Sequence, residues 1–227
     1  LEARLGVILD EVLPDRPIAQ EYRATTFTGN TSKAFVLFYD PPRCLKVIDP
    51  ARDTLWPKKP RFIDEAVGLS QLDLIQPQTR DMDGRLPAYL LGTEPEGGWC
   101  YYFQKAELAR QYENWQQVAE LGDRALALLE NPKRDAPEWA PLLDGSASVK
   151  DRYKAAELAP FIEGYAYTGQ WDRAAQLTQR ALSISDKLQP FLCTTWRGIS
   201  ANTARSESES RAAALEEMRA SLSCAIP

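Results

Sequence analysis

The spacing of hydrophobic residues changes near residue 95, and this change divides the chain into two parts. In the first part, β-branched and aromatic residues dominate residues 20–28, an unbroken apolar run covers residues 34–39, and apolar and polar residues alternate over residues 44–48. Short runs of this kind, separated by glycine, asparagine and proline, are typical of strands joined by tight turns. The pattern predicts a small antiparallel sheet, and helical spacing predicts short helices over residues 5–13 and 61–69.

Helix-forming residues dominate from Trp99 onward, and a block of sequence recurs there 56 positions later. Trp115 aligns with Trp171. Five further pairs share this distance: Ala119 with Ala175, Leu121 with Leu177, Arg124 with Arg180, Ala125 with Ala181, and Leu126 with Leu182. A tryptophan that opens a helix can wedge against the preceding helix, alanines permit close approach, and leucines fill the seam. Each block is therefore predicted to be the second helix of a helical hairpin.

The first helix of the second hairpin is predicted from Leu158, Phe161, Ile162 and Tyr165, which lie at i, i+3, i+4 and i+7. Gly169 is expected to end this helix, and Pro160 to kink it or begin it. The hairpin resembles a tetratricopeptide repeat, because Tyr165, the turn from Gly169 to Trp171, and the pair Ala181–Leu182 stand at the spacing of that family.

The first hairpin matches the same family less closely. Ala106 occupies the small-residue position and Trp115 the turn aromatic, but Glu113 stands where the family has glycine. The period of 56 also exceeds the tetratricopeptide period of about 34 residues, and the excess is assigned to residues 131–150. The resemblance therefore implies a divergent pair of hairpins rather than a regular solenoid.

Two further helices are predicted at the C-terminus. Residues 191–199 have the composition of a helix, and Ser206 with Glu209 fits a capping box that would open a last helix reaching Leu222. The sequence as a whole predicts an α+β fold. Residues 1–95 form a mixed region with a small sheet, and residues 96–227 form tetratricopeptide-like hairpins closed by a C-terminal capping helix.

A second resemblance covers most of the chain and rests on four segments. They read FxGNTS at 27–32, PPxCLxV at 41–47, GWCYYFxKA at 98–106 and PFIEGYA at 160–166. In this order they are similar to the C-terminal, extracytoplasmic part of a family of bacterial polytopic membrane proteins, most of whose members have no assigned activity. The resemblance implies a membrane-anchored protein with this domain outside the cytoplasm. A cytoplasmic location is the alternative.

Composition and charge exclude several classes of function. The 227 residues include no histidine, which removes Ser-His-Asp triads, Cys-His dyads, HExxH zinc sites and haem on a proximal histidine. The net charge is −5 and no basic stripe is present, so nucleic acid is not expected as a partner. The longest apolar run, residues 34–39, is far shorter than the roughly 20 residues that cross a bilayer. The chain begins at Leu1, and we expect transmembrane segments outside it.

The four cysteines are widely separated along the chain. Cys44, Cys100 and Cys193 have apolar or aromatic neighbours, and Cys224 lies near the C-terminus. No CxxC pair and no histidine completes a zinc tetrad, so neither a metal nor another cofactor is expected. Buried free thiols are favoured over disulfides, which remain the alternative.

No catalytic constellation stands out from the sequence. The DxDG motif at residues 81–84 is interpreted as a turn, because the oxygen ligands of a calcium loop do not follow it. Carboxylate pairs such as Glu157 with Glu163 could serve a glycosidase, but chance accounts for such pairs among 32 acidic residues. We expect no enzyme activity.

A binding face is predicted on the concave side of the hairpins, which their first helices build. The candidate binding residues are Tyr101, Lys105, Glu163 and Tyr167. The preferred hypothesis is a non-catalytic scaffold that binds a protein or peptide partner. The alternative is a substrate-recognition domain of a membrane-embedded transferase such as a glycosyltransferase, and a stand-alone carboxylate hydrolase is a third possibility.

Overall fold

The computed structural model of the chain describes residues 13–75, 97–205 and 208–227. The predicted turn at residues 81–84 lies outside these ranges, as does nearly all of the predicted helix over residues 5–13. The described residues contain nine α-helices and small antiparallel sheets, so the predicted α+β class is confirmed.

The chain forms two compact units that are not continuous in sequence. The first contains the described parts of Leu1–Tyr39, Leu45–Thr54 and Lys58–Leu91. The second contains Asp40–Cys44, Leu55–Pro57 and the described part of Gly92–Pro227. Two short segments from the N-terminal part of the sequence therefore belong to the helical unit.

The first unit contains two separate two-stranded sheets, a hairpin and a shorter strand pair. Strand β1 (Pro17–Tyr22) pairs antiparallel with β2 (Thr25–Asn30), and β3 (Leu37–Phe38) pairs antiparallel with β4 (Lys46–Val47). The predicted strand over residues 20–28 is therefore wrong in its bounds, because the chain reverses at Arg23, whose φ is 55°. Of the strand predicted over residues 34–39, only Leu37 and Phe38 form a strand, β3.

The core of the first unit contains a buried ion pair. Lys46 Nζ lies 2.8 Å from Asp53 Oδ2, and both side chains are almost fully withdrawn from solvent. Asp53 also accepts the backbone N–H of Asp49 at 2.8 Å, so it connects β4 to the loop that follows. Helix α1 (Arg61–Ala66) contributes Ile63 to the core and continues as the 3₁₀ turn Val67–Leu69.

The second unit consists of eight α-helices among its described residues. They are α2 (Trp99–Gln111), α3 (Trp115–Ala127), α4 (Pro132–Asp135), α5 (Ala140–Leu143), α6 (Ala159–Tyr167), α7 (Trp171–Ile184), α8 (Gln189–Asn202) and α9 (Glu209–Leu222). Both predicted second helices, α3 and α7, begin at their tryptophan as expected. The helices pair as α2 with α3 and α6 with α7, and α3 packs on α6 to join the two hairpins.

Glycine is required where the hairpins meet and where the second hairpin turns. A Cβ atom at Gly164 of α6 would lie 2.6 Å from Val118 Cγ1 and 3.1 Å from the backbone nitrogen of Ala119, both in α3. Gly169 has a φ of 79°, a left-handed conformation that lets α6 end and the chain enter α7. The close approach of α3 and α6 therefore depends on the missing side chain at Gly164.

Residues 131–150, which account for the long repeat period, contribute to the helical core. This segment contains α4 and α5, and Trp139 beside α5 is fully buried, with its ring centroid 4.2 Å from that of Trp99. It is followed by the 3₁₀ segment Asp151–Leu158. Pro160 occupies the first turn of α6, where proline is tolerated. The proline thus begins the helix, and Leu158 precedes it.

The C-terminal helices match their predicted positions, but the cap differs. The side chain of Ser208 accepts the backbone N–H of Arg211 at 3.1 Å and caps α9, so the prediction of Ser206 as N-cap is wrong. A serine side chain at the N-cap accepts a backbone N–H of the first helical turn, and Ser208 does so. Ser206 itself lies outside the described residues.

The cysteines form two disulfides, and the prediction of free thiols is wrong. Cys44 is bonded to Cys100 and Cys193 to Cys224, with Cα–Cα distances of 5.3 and 6.4 Å. Cysteines surrounded by apolar side chains are buried whether oxidised or reduced, so local sequence did not reveal the pairing. Among the described helices, none combines the length and apolarity needed to cross a bilayer.

Candidate functional site

The predicted binding residues lie on α2 and α6, the first helices of the two hairpins. Tyr101 and Lys105 are one helical turn apart on α2, and Lys105 Nζ lies 5.4 Å from the centroid of the Tyr101 ring. This distance is typical of a cation–π contact. Both side chains are half-buried, and the tyrosine ring also meets Tyr102 edge-on at 5.3 Å. The two residues form a small surface of aromatic and cationic character.

Glu163 has a different environment, since its side chain is only 8% exposed. Its Oε2 lies 3.3 Å from Arg110 Nη1, and the same nitrogen lies 3.5 Å from Glu107 Oε1. Arg110 is also buried, so its guanidinium joins α2 to α6 between two carboxylates. Breaking a buried charge cluster of this kind is strongly unfavourable. Glu163 therefore connects the two first helices.

Tyr167 lies at the C-terminal end of α6 and contacts two other helices. Its ring centroid is 4.2 Å from that of Trp115, the tryptophan that opens α3. Its hydroxyl accepts a hydrogen bond from Asn202 Nδ2 at 3.1 Å, at the end of α8. Of the four candidates, the structure brings Tyr101 and Lys105 into direct contact and gives Glu163 and Tyr167 other partners. Their role in binding stays a prediction.

Glu157, the other carboxylate of the predicted pair, is fully buried beneath the disulfide of Cys44. It accepts hydrogen bonds from the Cys44 backbone N–H at 2.7 Å, from Trp99 Nε1 at 2.6 Å and from Lys154 Nζ at 2.8 Å. Lys154 also donates to the Pro42 carbonyl oxygen at 2.9 Å. This cluster, defined as the Glu157 cluster, holds the segment Asp40–Cys44 against the helices.

The chemistry of the Glu157 cluster is dominated by burial. Removal from water raises the pKa of Glu157, and the ammonium of Lys154 with the donors of Cys44 and Trp99 offsets only part of that effect. A carboxylate used in acid or base catalysis has to reach its substrate. Glu157 is 0% exposed and engages three donors from its own chain. This arrangement is typical of a structural cross-link.

A cavity that the sequence did not indicate lies between α3, α6 and α7. Its volume is about 230 Å³, and it is lined by Leu126, Tyr165, Arg173, Gln176, Leu177 and Arg180. Three of these residues, Leu126, Leu177 and Arg180, belong to the repeated pairs. The sequence aligns Arg124 with Arg180, but only Arg180 lines the cavity, so the recurrence of arginine does not by itself indicate it.

Two lining residues of the cavity, Tyr165 and Arg173, form a polar triad with Asp123. The Tyr165 hydroxyl donates to Asp123 Oδ1 at 2.8 Å, Arg173 is paired with the same oxygen, and its guanidinium lies 4.0 Å from the centroid of the Tyr165 ring. Burial and the neighbouring carboxylate raise the pKa of Tyr165. Tyr165 is therefore a neutral donor, and the charge of Arg173 is balanced by Asp123.

Neither a search for metal-binding side chains nor a comparison with known proteins assigns a function to the chain. Within the described ranges, no three histidine, cysteine, aspartate or glutamate side chains are placed to hold a metal ion. Comparison of the chain with protein-family models, with curated proteins and with solved structures found no match.

Proposed function

We propose that this chain is a non-catalytic interaction module, which binds a protein partner through the exposed face of its first helices, α2 and α6. The observation that carries the proposal is the pair of packed helical hairpins with equivalent residues 56 positions apart. Stacked hairpins of this type present a continuous surface that is suited to binding extended partners. Tyr101, Lys105 and Tyr167 are half-buried, which leaves part of each side chain available.

The buried charges support a rigid scaffold beneath that face. Arg110 joins Glu107 and Glu163 across the first helices, and the Glu157 cluster fixes the segment Asp40–Cys44. Removing one partner from such a cluster leaves a buried charge without compensation, which is costly. A face held in one conformation loses less conformational entropy when it binds a partner. This preorganisation favours recognition.

The two disulfides support a location outside the cytoplasm. Disulfides persist in oxidising compartments and are rare where glutathione and thioredoxin keep thiols reduced. Both bonds lie in the helical unit, and each closes a long loop, of 56 and 31 residues. Together with the resemblance to extracytoplasmic domains, they favour a module that is attached to a bacterial membrane by segments outside these 227 residues.

The proposal is tested by selecting peptides from a displayed random library on the full chain with its disulfides intact. The binding constants of selected peptides are then measured on Tyr101→Ala/Lys105→Ala. The matched control is Gln116→Ala/Glu120→Ala, an exposed pair with the same i, i+4 spacing on α3. We expect the first double substitution to weaken binding at least about tenfold and the control to leave it unchanged, because anchoring aromatic residues carry most of the energy of an interface.

Two outcomes would count against the proposed binding face. The first is that no peptide is enriched on the folded chain over an unrelated disulfide-bonded protein. The second is that both double variants weaken binding equally, which would indicate a general effect of surface substitution. Circular dichroism of each variant checks that the helices are retained.

A further inference from the structure

We infer that the cavity between α3, α6 and α7 binds a carboxylate of the partner protein, held by the guanidinium of Arg180. The inference rests on the proposed function and names the chemistry of the partner. An acidic side chain would place its carboxylate on Arg180 and its methylene groups against Leu126 and Leu177. The site lies apart from Tyr101 and Lys105, so it can be tested separately.

Arg180 is the cation of the cavity that has no counter-ion. Across the part of the chain that the structure describes, no carboxylate lies within ion-pair distance of its guanidinium. The residues one turn away on α7 are Gln176, Leu177, Ser183 and Ile184, none of them acidic. Partial burial lowers the pKa of Arg180, which reflects the loss of water around its charge. A bound anion would offset that loss.

The other charges of the cavity balance one another. Arg173 is paired with Asp123, and the Tyr165 hydroxyl donates to the same carboxylate. The net charge facing the cavity is therefore that of Arg180 alone. A singly charged anion neutralises it, whereas a phosphate dianion would add an excess charge close to Asp123. The charges therefore favour a carboxylate, whose two oxygens match the planar fork of a guanidinium.

The size and lining of the cavity indicate a side chain rather than a free metabolite. Its volume of about 230 Å³ lies below the roughly 300–1,000 Å³ of pockets that enclose drug-sized ligands. Leu126 and Leu177 provide an apolar wall beside the charge. A glutamate side chain, with two methylene groups behind its carboxylate, has both features. The occupant that fits is thus an acidic residue of the partner.

Arg124 provides a matched control within the same chain. It occupies the position equivalent to Arg180 in the first hairpin, 56 residues earlier. Its side chain is exposed on α3 and does not line the cavity. Arg124→Gln and Arg180→Gln therefore make the same chemical change at equivalent helix positions, one in solvent and one in the cavity.

The site is tested by NMR with sodium butyrate, a carboxylate on a short apolar chain, and with butyramide as its neutral analogue. We expect butyrate to shift the Nε–Hε signal of Arg180 saturably, and butyramide to cause no saturable shift. Arg180→Gln should weaken butyrate binding at least about tenfold, because a charge-assisted pair is lost, and Arg124→Gln should not change it. Arg180→Lys, which keeps the charge without the fork, should give an intermediate affinity.

Several results would overturn the inference. A shift that does not saturate, an equal loss in Arg124→Gln, or tighter binding of inorganic phosphate than of butyrate would each contradict a carboxylate site at Arg180. The selected peptides separate this inference from the proposed function. If selected acidic peptides bind Arg180→Gln as tightly as the wild-type chain, the inference is wrong and the proposed function is unaffected. Failure to select any peptide overturns the proposed function and with it the protein occupant, while butyrate binding still decides whether the cavity binds a carboxylate.

Discussion

Substitution of Gly164 by alanine tests the contact between the two hairpins. The added Cβ would meet Val118 Cγ1 at 2.6 Å and the Ala119 backbone nitrogen at 3.1 Å. The valine is fully buried in a helix, and the second contact is to main chain, so neither atom can move away without shifting α3. Gly198 on α8 provides the control, because a Cβ there meets nothing within 4 Å.

The expected effects of these two substitutions have opposite signs. Alanine is favoured over glycine inside a helix by about 1 kcal/mol, and this gain applies to both sites. Overpacking a tightly packed core costs about 1–3 kcal/mol, and this term applies to Gly164 alone. Gly164→Ala should therefore lower the free energy of unfolding by up to about 2 kcal/mol, while Gly198→Ala should raise it by about 0.5–1 kcal/mol.

Urea unfolding followed by circular dichroism at 222 nm measures both effects, with the disulfides left intact. In thermal scans, the melting temperature should change by roughly 2–4 °C for each kcal/mol in a chain of this size. Stabilisation by Gly164→Ala similar to that by Gly198→Ala would refute the close approach of α3 and α6. Destabilisation by both would refute the assignment of the Gly164 effect to contact with Val118.

Three further predictions concern cross-links, burial and capping. Cys44→Ser/Cys100→Ser should lower the free energy of unfolding by about 4 kcal/mol, because the unfolded chain regains the entropy of an open 56-residue loop. Alkylation of the unfolded wild-type chain should label no thiol before the disulfides are reduced. Glu157→Gln should cost about 1–3 kcal/mol in urea unfolding, because the amide replaces one acceptor oxygen by a donor group that faces the buried donors of Cys44, Trp99 and Lys154. Because burial raises the folded pKa of Glu157, this carboxyl should make a contribution to wild-type stability that falls as the pH rises above 4.5, and Glu157→Gln should lack that contribution when unfolded over the same pH range. Ser208→Ala should cost about 1 kcal/mol of thermal stability, whereas Ser210→Ala should cost almost nothing.

The helices could be predicted from the sequence because their signals are local. Trp115 and Trp171 mark the starts of α3 and α7 by themselves, and Tyr101 and Lys105 meet because they are one turn apart. The β-hairpin was predicted less well. Its turn at Arg23 contains neither glycine nor asparagine, so the composition of residues 20–28 gave no sign that the strand ended there.

Contacts between distant residues could not be predicted in the same way. Glu163 was assigned to a binding face, but its partner Arg110 belongs to another helix, and a helical pattern does not identify partners across a packed interface. The cavity at Arg180 likewise depends on how α3 approaches α7. The disulfides depend on partners 56 and 31 residues away, and spacing does not specify the connectivity of four cysteines.

The placement of Asp40–Cys44 and Leu55–Pro57 in the helical unit has a consequence during synthesis. These segments leave the ribosome before the helices against which they pack, and Cys44 is 113 residues from Glu157, whose carboxylate receives its N–H. At about 5–20 residues per second, Cys44 emerges roughly 3–11 seconds before Cys100. The helical unit therefore completes its core only after nearly the whole chain has been made, and Cys44 has no disulfide partner within the chain until Cys100 has emerged.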